Sequence, residues 1–489
     1  MNPIIRSVAL SCLCVGIFLS APASSQEKAT STKAVQRLNR APVNKEVLQV
    51  KLPRPTEAKL SNGLTVLLLE RHKLPTLNVS LWINAGSLYD PKDAPGLAKF
   101  TAEMLREGTS HRNSSQLSTQ IDQLGATITT QSQFGSTYTQ LAASGFADTA
   151  DGLLDLMSDM LINPAFTGDE LDKYKKRQMA ALEEERSDPG FLGEERMYRA
   201  LYGNFPAATT SATAESVKAL TSEQLRQFHD KYYLPGNALL GVVGDFDSKQ
   251  MMALLEKHFG SWKTQPFNAP SLGSIPPASA FKISLVDRPD SVQTNILAGE
   301  LAVPRNNPDY IPLRVMNHVL GEGATGRLFL NLREEKGYTY GAYSYIAADT
   351  YPRPLLATTE VRTAVTDGSM HELLGELKRL RDETVPSAEL DDAKRAMVAS
   401  FALSLEHDRE LIDLWMRVKH NNLPIDYWDR YPAEVTKVSA DSVQQMAKKY
   451  LDPGRLQVVC VGTAKEIKDV LSKYGPVEVY DVDGKKVSQ

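Results

Sequence analysis

A chain of 489 residues is long enough for about two to four domains with sizeable cores. Apolar residues at 42% and charged residues at 23% are globular values and exclude a disordered or fibrous chain. A formal net charge of −4 argues against a nucleic-acid binder, which would carry a basic face.

Residues 1–23 read as a signal peptide. Arg6 supplies the positive end, Val8 to Ala21 the apolar run, and Ala21-Pro22-Ala23 a cleavage site of A-x-A type. The run is too short to stay in a bilayer, so no transmembrane anchor is expected. Cys12 and Cys14 leave with it. Cys460, set in an apolar strand and read as a core residue, remains alone, and the mature chain has no intramolecular disulfide. Export without disulfides suits a bacterial periplasm, with secretion as the alternative.

Residues 24–51 are polar and aperiodic and read as a flexible leader. Ser61-Asn62-Gly63-Leu64 is a turn between two strands, and Leu77 to Ala85 is a further alternating strand. Gly96 to Thr109 reads as one amphipathic helix, capped by Asp93, with Pro95 in its first turn and Gly108 as its stop. Leu97, Phe100, Met104 and Leu105 would face a core, and Lys99 and Glu103 share one helix face. A helix over Ser115–Leu124 and strands over Ala126–Gln133 and Ser136–Ser144 follow. Helices over Ala147–Met160, Asp169–Arg186 and Ser222–Tyr233, and a buried strand over Ala238–Gly244, complete this half. Residues 264–281 hold four prolines, with glycine and serines, and read as a linker.

The same order of elements then returns. Tyr232-Tyr233-Leu234-Pro235-Gly236 before an apolar strand is answered by Tyr450-Leu451-Asp452-Pro453-Gly454 before another, an offset of 218 residues from Pro235 to Pro453. Glu170-Leu171-Asp172 is echoed by Glu389-Leu390-Asp391. This predicts two copies of one α+β unit, over residues 52–263 and 282–480, with a tail at 481–489.

The stretch Gly96-Leu97-Ala98-Lys99-Phe100-Thr101-Ala102-Glu103-Met104-Leu105 resembles the signature helix of the insulinase/pitrilysin (inverzincin) metallopeptidases, G-L-A-H-F-x-E-H-M-L. In that family the two His bind zinc and the Glu activates water. Lys99 stands at the first His, Ala102 at the Glu and Glu103 at the second His. A protonated Lys cannot ligate zinc and Ala offers no base, so no metal is expected in this chain. A helical ion pair between Lys99 and Glu103 is the simplest use of the vacated positions. For the family's third ligand, a Glu on a later helix, Glu183 matches best by register; Glu183-Glu184-Glu185 also reads as a solvated face. The eight His show no i,i+3 or i,i+4 spacing, and there is no HExxH, P-loop, dinucleotide fingerprint or Gly-x-Ser-x-Gly elbow.

The second half carries Leu332-Arg333-Glu334-Glu335-Lys336-Gly337-Tyr338-Thr339-Tyr340, which resembles the family's C-terminal motif L-R-E-x-x-G-x-x-Y. The resemblance implies that Arg333 and Tyr340 reach across a cleft to the zinc site of another half or subunit, where both can donate to an oxyanion. Arg333 ending a helix in an ion pair with Glu334 or Glu335, and Tyr340 as a half-buried strand aromatic, is the structural alternative. Gly321, Gly323 and Gly326 either contact peptide backbone or serve as helix stop and turn. The resemblance implies tandem α+β domains with mixed sheets, and a zinc-less subunit of a heterodimeric peptidase acting on unfolded peptides. Its partner would be a homologous H-x-x-E-H subunit holding the zinc. A structural or peptide-holding pseudoenzyme, as in core proteins of respiratory complexes, is the alternative. So is a self-sufficient hydrolase with an unrecognised site.

Overall fold

The computed structural model describes residues 47–277 and 279–487. The signal peptide, Cys12, Cys14 and most of the leader lie outside them. The first half runs β1 (Thr56–Lys59), β2 (Thr65–Glu70), β3 (Thr76–Ile83), α1 (Leu97–Met104), α2 (Ser114–Gln123), β4 (Thr127–Gln131) and β5 (Thr139–Phe146). It continues with α3 (Ala150–Ile162), α4 (Gly168–Ser187), α5 (Pro189–Tyr202), α6 (Ala214–Ala219), α7 (Ser222–Tyr232), β6 (Ala238–Gly244) and α8 (Ser248–Phe259). The second half runs β7 (Lys282–Asp287), β8 (Gln293–Leu301), α9 (Tyr310–Leu320), α10 (Arg327–Phe329), β9 (Ala342–Ile346), β10 (Pro354–Arg362) and α11 (Thr366–Asp382). It ends with α12 (Ser387–Ser404), α13 (Asp408–His420), α14 (Tyr427–Lys437), α15 (Ala440–Tyr450), β11 (Gln457–Gly462), α16 (Ala464–Ser472) and β12 (Val477–Tyr480).

Two six-stranded mixed sheets result, ordered β1-β2-β6-β3-β5-β4 and β12-β7-β11-β8-β10-β9. Without the outermost β1 and β12 the two orders are the same, strand for strand. The repeat read from the Pro-Gly turns is thus a repeat of topology. β6 lies parallel to β2 and antiparallel to β3, and β11 lies parallel to β7 and antiparallel to β8. Each sits inside its sheet with both faces covered, which is why both read as continuous apolar runs. Each half has its own core between one sheet face and its helices.

The other face of each sheet is covered from the opposite half. Leu192, Met197, Leu201 and Tyr202 of α5 pack with Val286, Leu297, Val459 and Val461 of the second sheet. Leu411, Ile412, Leu414 and Trp415 of α13 pack with Leu67, Leu69, Trp82 and Val243 of the first. The fit is close at two glycines. A Cβ on Gly193 would stand 2.6 Å from Leu297 Cδ1, and one on Gly241 would stand 2.7 Å from Ile412 Cγ1 and Met416 Sδ. The described residues from Val47 onward accordingly form one compact unit.

Several local expectations shift. The fifth strand starts at Thr139 instead of Ser136, because the Gly135 carbonyl accepts bonds from Tyr351 and Arg353 of the second half and Ser136 bonds to Tyr138. The first residues of the first half dock onto the second: Leu52 is buried and its N–H donates to Asp429, and the Pro53 carbonyl accepts from Trp415. The tail also folds back. Gly484 adopts a positive φ, Asp481 accepts from the N–H groups of Asp483 and Lys485, and Val487 N–H donates to the Val479 carbonyl. Residues 264–277 carry no helix or strand, and Leu272 and Ile275 rest on the cluster around α5. No helix among the described residues is long and apolar enough to cross a membrane.

Candidate functional site

The signature helix begins at Leu97, and its cap is Asp90, not Asp93. The Asp90 carboxylate accepts from Gly96 N–H at 2.8 Å and Ala98 N–H at 2.7 Å. Burial nonetheless pushes this carboxyl up to about 7, against those two bonds. Gly96 turns the chain at φ +94°, with the Phe100 ring beside it, so a side chain there would meet both backbone strain and a clash. Leu97, Phe100, Met104 and Leu105 are all buried in the first core, as their spacing demands. The regular helix ends at Met104. Leu105–Glu107 continue as a tighter turn, and Gly108 then leaves the helix at φ +130°.

Lys99 and Glu103 form no ion pair, although they are four residues apart. Glu103 turns to α4. Its Oε2 accepts from the Tyr174 hydroxyl at 2.5 Å and from Gln178 Nε2 at 3.3 Å. Burial and the Glu103 charge together push the Tyr174 phenol well above its ordinary range. Lys99 turns the other way, its Nζ lying 6.0 Å from the centroid of the Phe134 ring. Two neutral donors on α4 thus take the place that the helical ion pair was expected to fill. Ala102 is fully buried. Glu183 and Glu184 are exposed, while Glu185 accepts from the Ser211 hydroxyl. The donor set does not fit zinc. Lys99 is a cation, Ala102 has no donor atom, Glu103 is already bonded and Glu183 faces solvent. No group of three His, Cys, Asp or Glu side chains converges anywhere among the described residues.

Tyr174 and Gln178 were not read from the sequence as site residues. Their i,i+4 spacing on a helix was the available signal, but nothing in the sequence says that α4 crosses α1 at Glu103.

Arg333 and Tyr340 lie together in the second half. Arg333 sits in a π-helical turn, Leu330–Glu335, continuous with α10. Gly337, at φ +63°, reverses the chain, and Tyr340 precedes β9 by two residues. Both side chains line one open groove of about 560 Å³, with Glu334, Thr339 and Glu360. The Arg333 guanidinium stands 2.6 Å from Glu334 and 4.9 Å from the centre of the Phe329 ring. Tyr340 is 94% exposed, so it is not a half-buried strand aromatic. An arginine fork and a phenol on one exposed rim can donate to a carbonyl oxygen or to an oxyanion brought up to them.

The glycine turn has a local job. The Gly321 carbonyl accepts from Ser344 N–H of the edge strand β9 at 3.0 Å, and a Cβ on Gly321 would lie 2.7 Å from that nitrogen. A Cβ on Gly326 would lie 2.5 Å from Gly321 Cα, whereas Gly323 is open on all sides and adopts φ +104°. The turn therefore meets backbone of its own chain at the sheet edge.

Comparison with known proteins agrees with the fold. Residues 65–214 match the family model described as insulinase (peptidase family M16), and residues 219–397 match that of the peptidase M16 inactive domain. The chain is 25% identical over 351 residues to the uncharacterized zinc protease YmxG of Bacillus subtilis (strain 168), covering 71% of this chain and 83% of that one. It is 22% identical over 418 residues to the non-peptidase homolog YmxG of Helicobacter pylori (strain ATCC 700392 / 26695), covering 82% and 92%. The crystal structure of a peptidase M16 inactive domain from Pseudomonas fluorescens superposes with a TM-score of 0.78 at 25% identity, covering 84% of this chain and 98% of that one.

Proposed function

Because this chain belongs to the M16 (insulinase) peptidase family and its signature helix carries Lys99, Ala102 and Glu103, we propose that it is the zinc-less subunit of a heterodimeric metallopeptidase. In this reading it pairs with a homologous subunit that bears H-x-x-E-H and holds the zinc. The two enclose unfolded peptides, in the periplasm if the signal peptide acts as its sequence implies. The observation that carries the reading is the exposed Arg333/Tyr340 rim beside its groove. Zinc in the partner supplies water activation. Arg333 and Tyr340 donate to the scissile carbonyl oxygen and to the oxyanion that develops there.

The first experiment is a tagged pull-down from the native periplasm with identification of the bound chains. A stoichiometric H-x-x-E-H homologue is the expected partner. Arg333→Ala in the reconstituted complex should then lower kcat by about 10²-fold with the dimer intact on gel filtration. Unchanged peptide cleavage removes Arg333 from the reaction.

A second reading, a structural or peptide-holding protein with no part in cleavage, draws on the ion pair that already engages Arg333 with Glu334. A lone chain, or an unrelated partner, in the pull-down favours that reading.

A further inference from the structure

A cavity of about 240 Å³ opens at the seam between the two halves. From the first half it is walled by Trp82 and by the β4–β5 connection, including Phe134 and Tyr138; from the second by the segments after β8 and β9 and by the end of α13. Its charge is unbalanced. Three guanidinium groups line it, those of Arg305, Arg353 and Arg417. Arg417 is paired with Glu410 at 2.6 Å. Arg305 and Arg353 form no ion pair among the described residues. Arg305 lies over the Tyr310 and Trp428 rings, at 5.1 and 5.7 Å. One terminal nitrogen of Arg353 donates to the Gly135 carbonyl and the Tyr351 hydroxyl and the other to the Tyr198 hydroxyl at 3.5 Å, all neutral.

The one carboxylate in the wall is already engaged. Asp349 Oδ1 accepts from the Thr137 hydroxyl at 3.0 Å and from Thr350 N–H at 2.7 Å, with His420 Nε2 at 3.6 Å. His420 is itself fixed edge-on to Trp82 and Tyr138. Guanidinium groups do not shed their charge, and two half-buried ones that share a single carboxylate, Asp349, bear a desolvation cost. Two such groups facing one small cavity make a fork for an oxyanion. Lys99 adds a cation behind Phe134, and it has no ion pair among the described residues.

We propose that this seam cavity is a binding site for a small oxyanion, a carboxylate or a phosphate, held by Arg305 and Arg353. The site differs from the Arg333/Tyr340 rim and does not depend on a partner subunit. A carboxylate can come from a peptide C-terminus or from a free metabolite; phosphate comes free. Because both halves build the wall, a bound anion also ties them together and stabilises the folded chain.

The test uses the full mature chain. Thermal unfolding is followed with inorganic phosphate, acetate, and a short peptide with a free or amidated C-terminus, each against chloride at matched ionic strength. Titration calorimetry gives the affinity. A rise in Tm specific to phosphate or free carboxylate is expected. Arg305→Gln and Arg353→Gln should each weaken binding by about tenfold. Loss of the peptide effect on amidation assigns the site to chain termini; an effect of phosphate alone assigns it to free anions. Equal response to all anions and chloride in the wild-type chain overturns the proposal, whatever the variants do. So does full retention of binding in both variants.

Discussion

Glu103 keeps the place of a metal ligand in the signature helix and has the surroundings of a structural acid. A helix turn puts Lys99 within reach of it, but a surface ion pair is worth less than about 1 kcal/mol. A buried phenol and a side-chain amide on α4 offer two directed bonds instead, and the carboxylate takes them. Sequence spacing sees only the first option, because it counts neighbours along one helix. Glu300 shows the same limit for acids in strands. It sits buried in β8, and burial pushes its carboxyl up to about 7, against Arg455 and a bond from Asp452 N–H. The folded chain then holds its proton more tightly than the unfolded one. The Glu300 contribution to stability is full below about pH 4.3, the ordinary Glu value, and is lost as pH rises through about 7. Glu300→Gln removes it. Urea midpoints of wild type minus variant should therefore fall between pH 4 and pH 7, and a flat difference refutes this.

At the scale of elements, the helix-to-strand turn before the Arg/Tyr segment shows that glycines of one motif answer to different demands. Gly321 is required by close approach to Ser344 N–H, whereas Gly323 is required by its positive φ in open space. Gly321→Ala should cost about 1–3 kcal/mol because backbone must move. Gly323→Ala should cost about 1 kcal/mol from conformation alone. Chemical denaturation of the two variants orders them, and equal costs would show that the turn is slack. The Arg/Tyr spacing was legible because a seven-residue offset across one glycine turn is local. Its consequence, an exposed rim on one groove, needed the fold. The β5 boundary moved for a related reason: Gly135 bonds to the other half before the strand can begin.

For the whole molecule, the reciprocal seats of α5 and α13 decide behaviour. Each half covers a sheet face of the other, so neither can unfold without exposing the other's apolar surface. One cooperative calorimetric transition is expected, despite two cores. Two separated transitions would show that the helix seats are weak.

Several properties followed from the sequence alone, because they rest on local patterns. The duplicated α+β unit, the family, the apolar face of the signature helix and the replacement of the family's His, Glu and His by Lys99, Ala102 and Glu103 can each be read from residue type, period and spacing. Tertiary structure alone decided the rest. It exchanged helices between halves, gave Glu103 to Tyr174 and Gln178, and gathered Arg305, Arg353 and Asp349 at one seam. Those contacts join residues far apart in the chain, and their geometry depends on how two sheets and their helices pack.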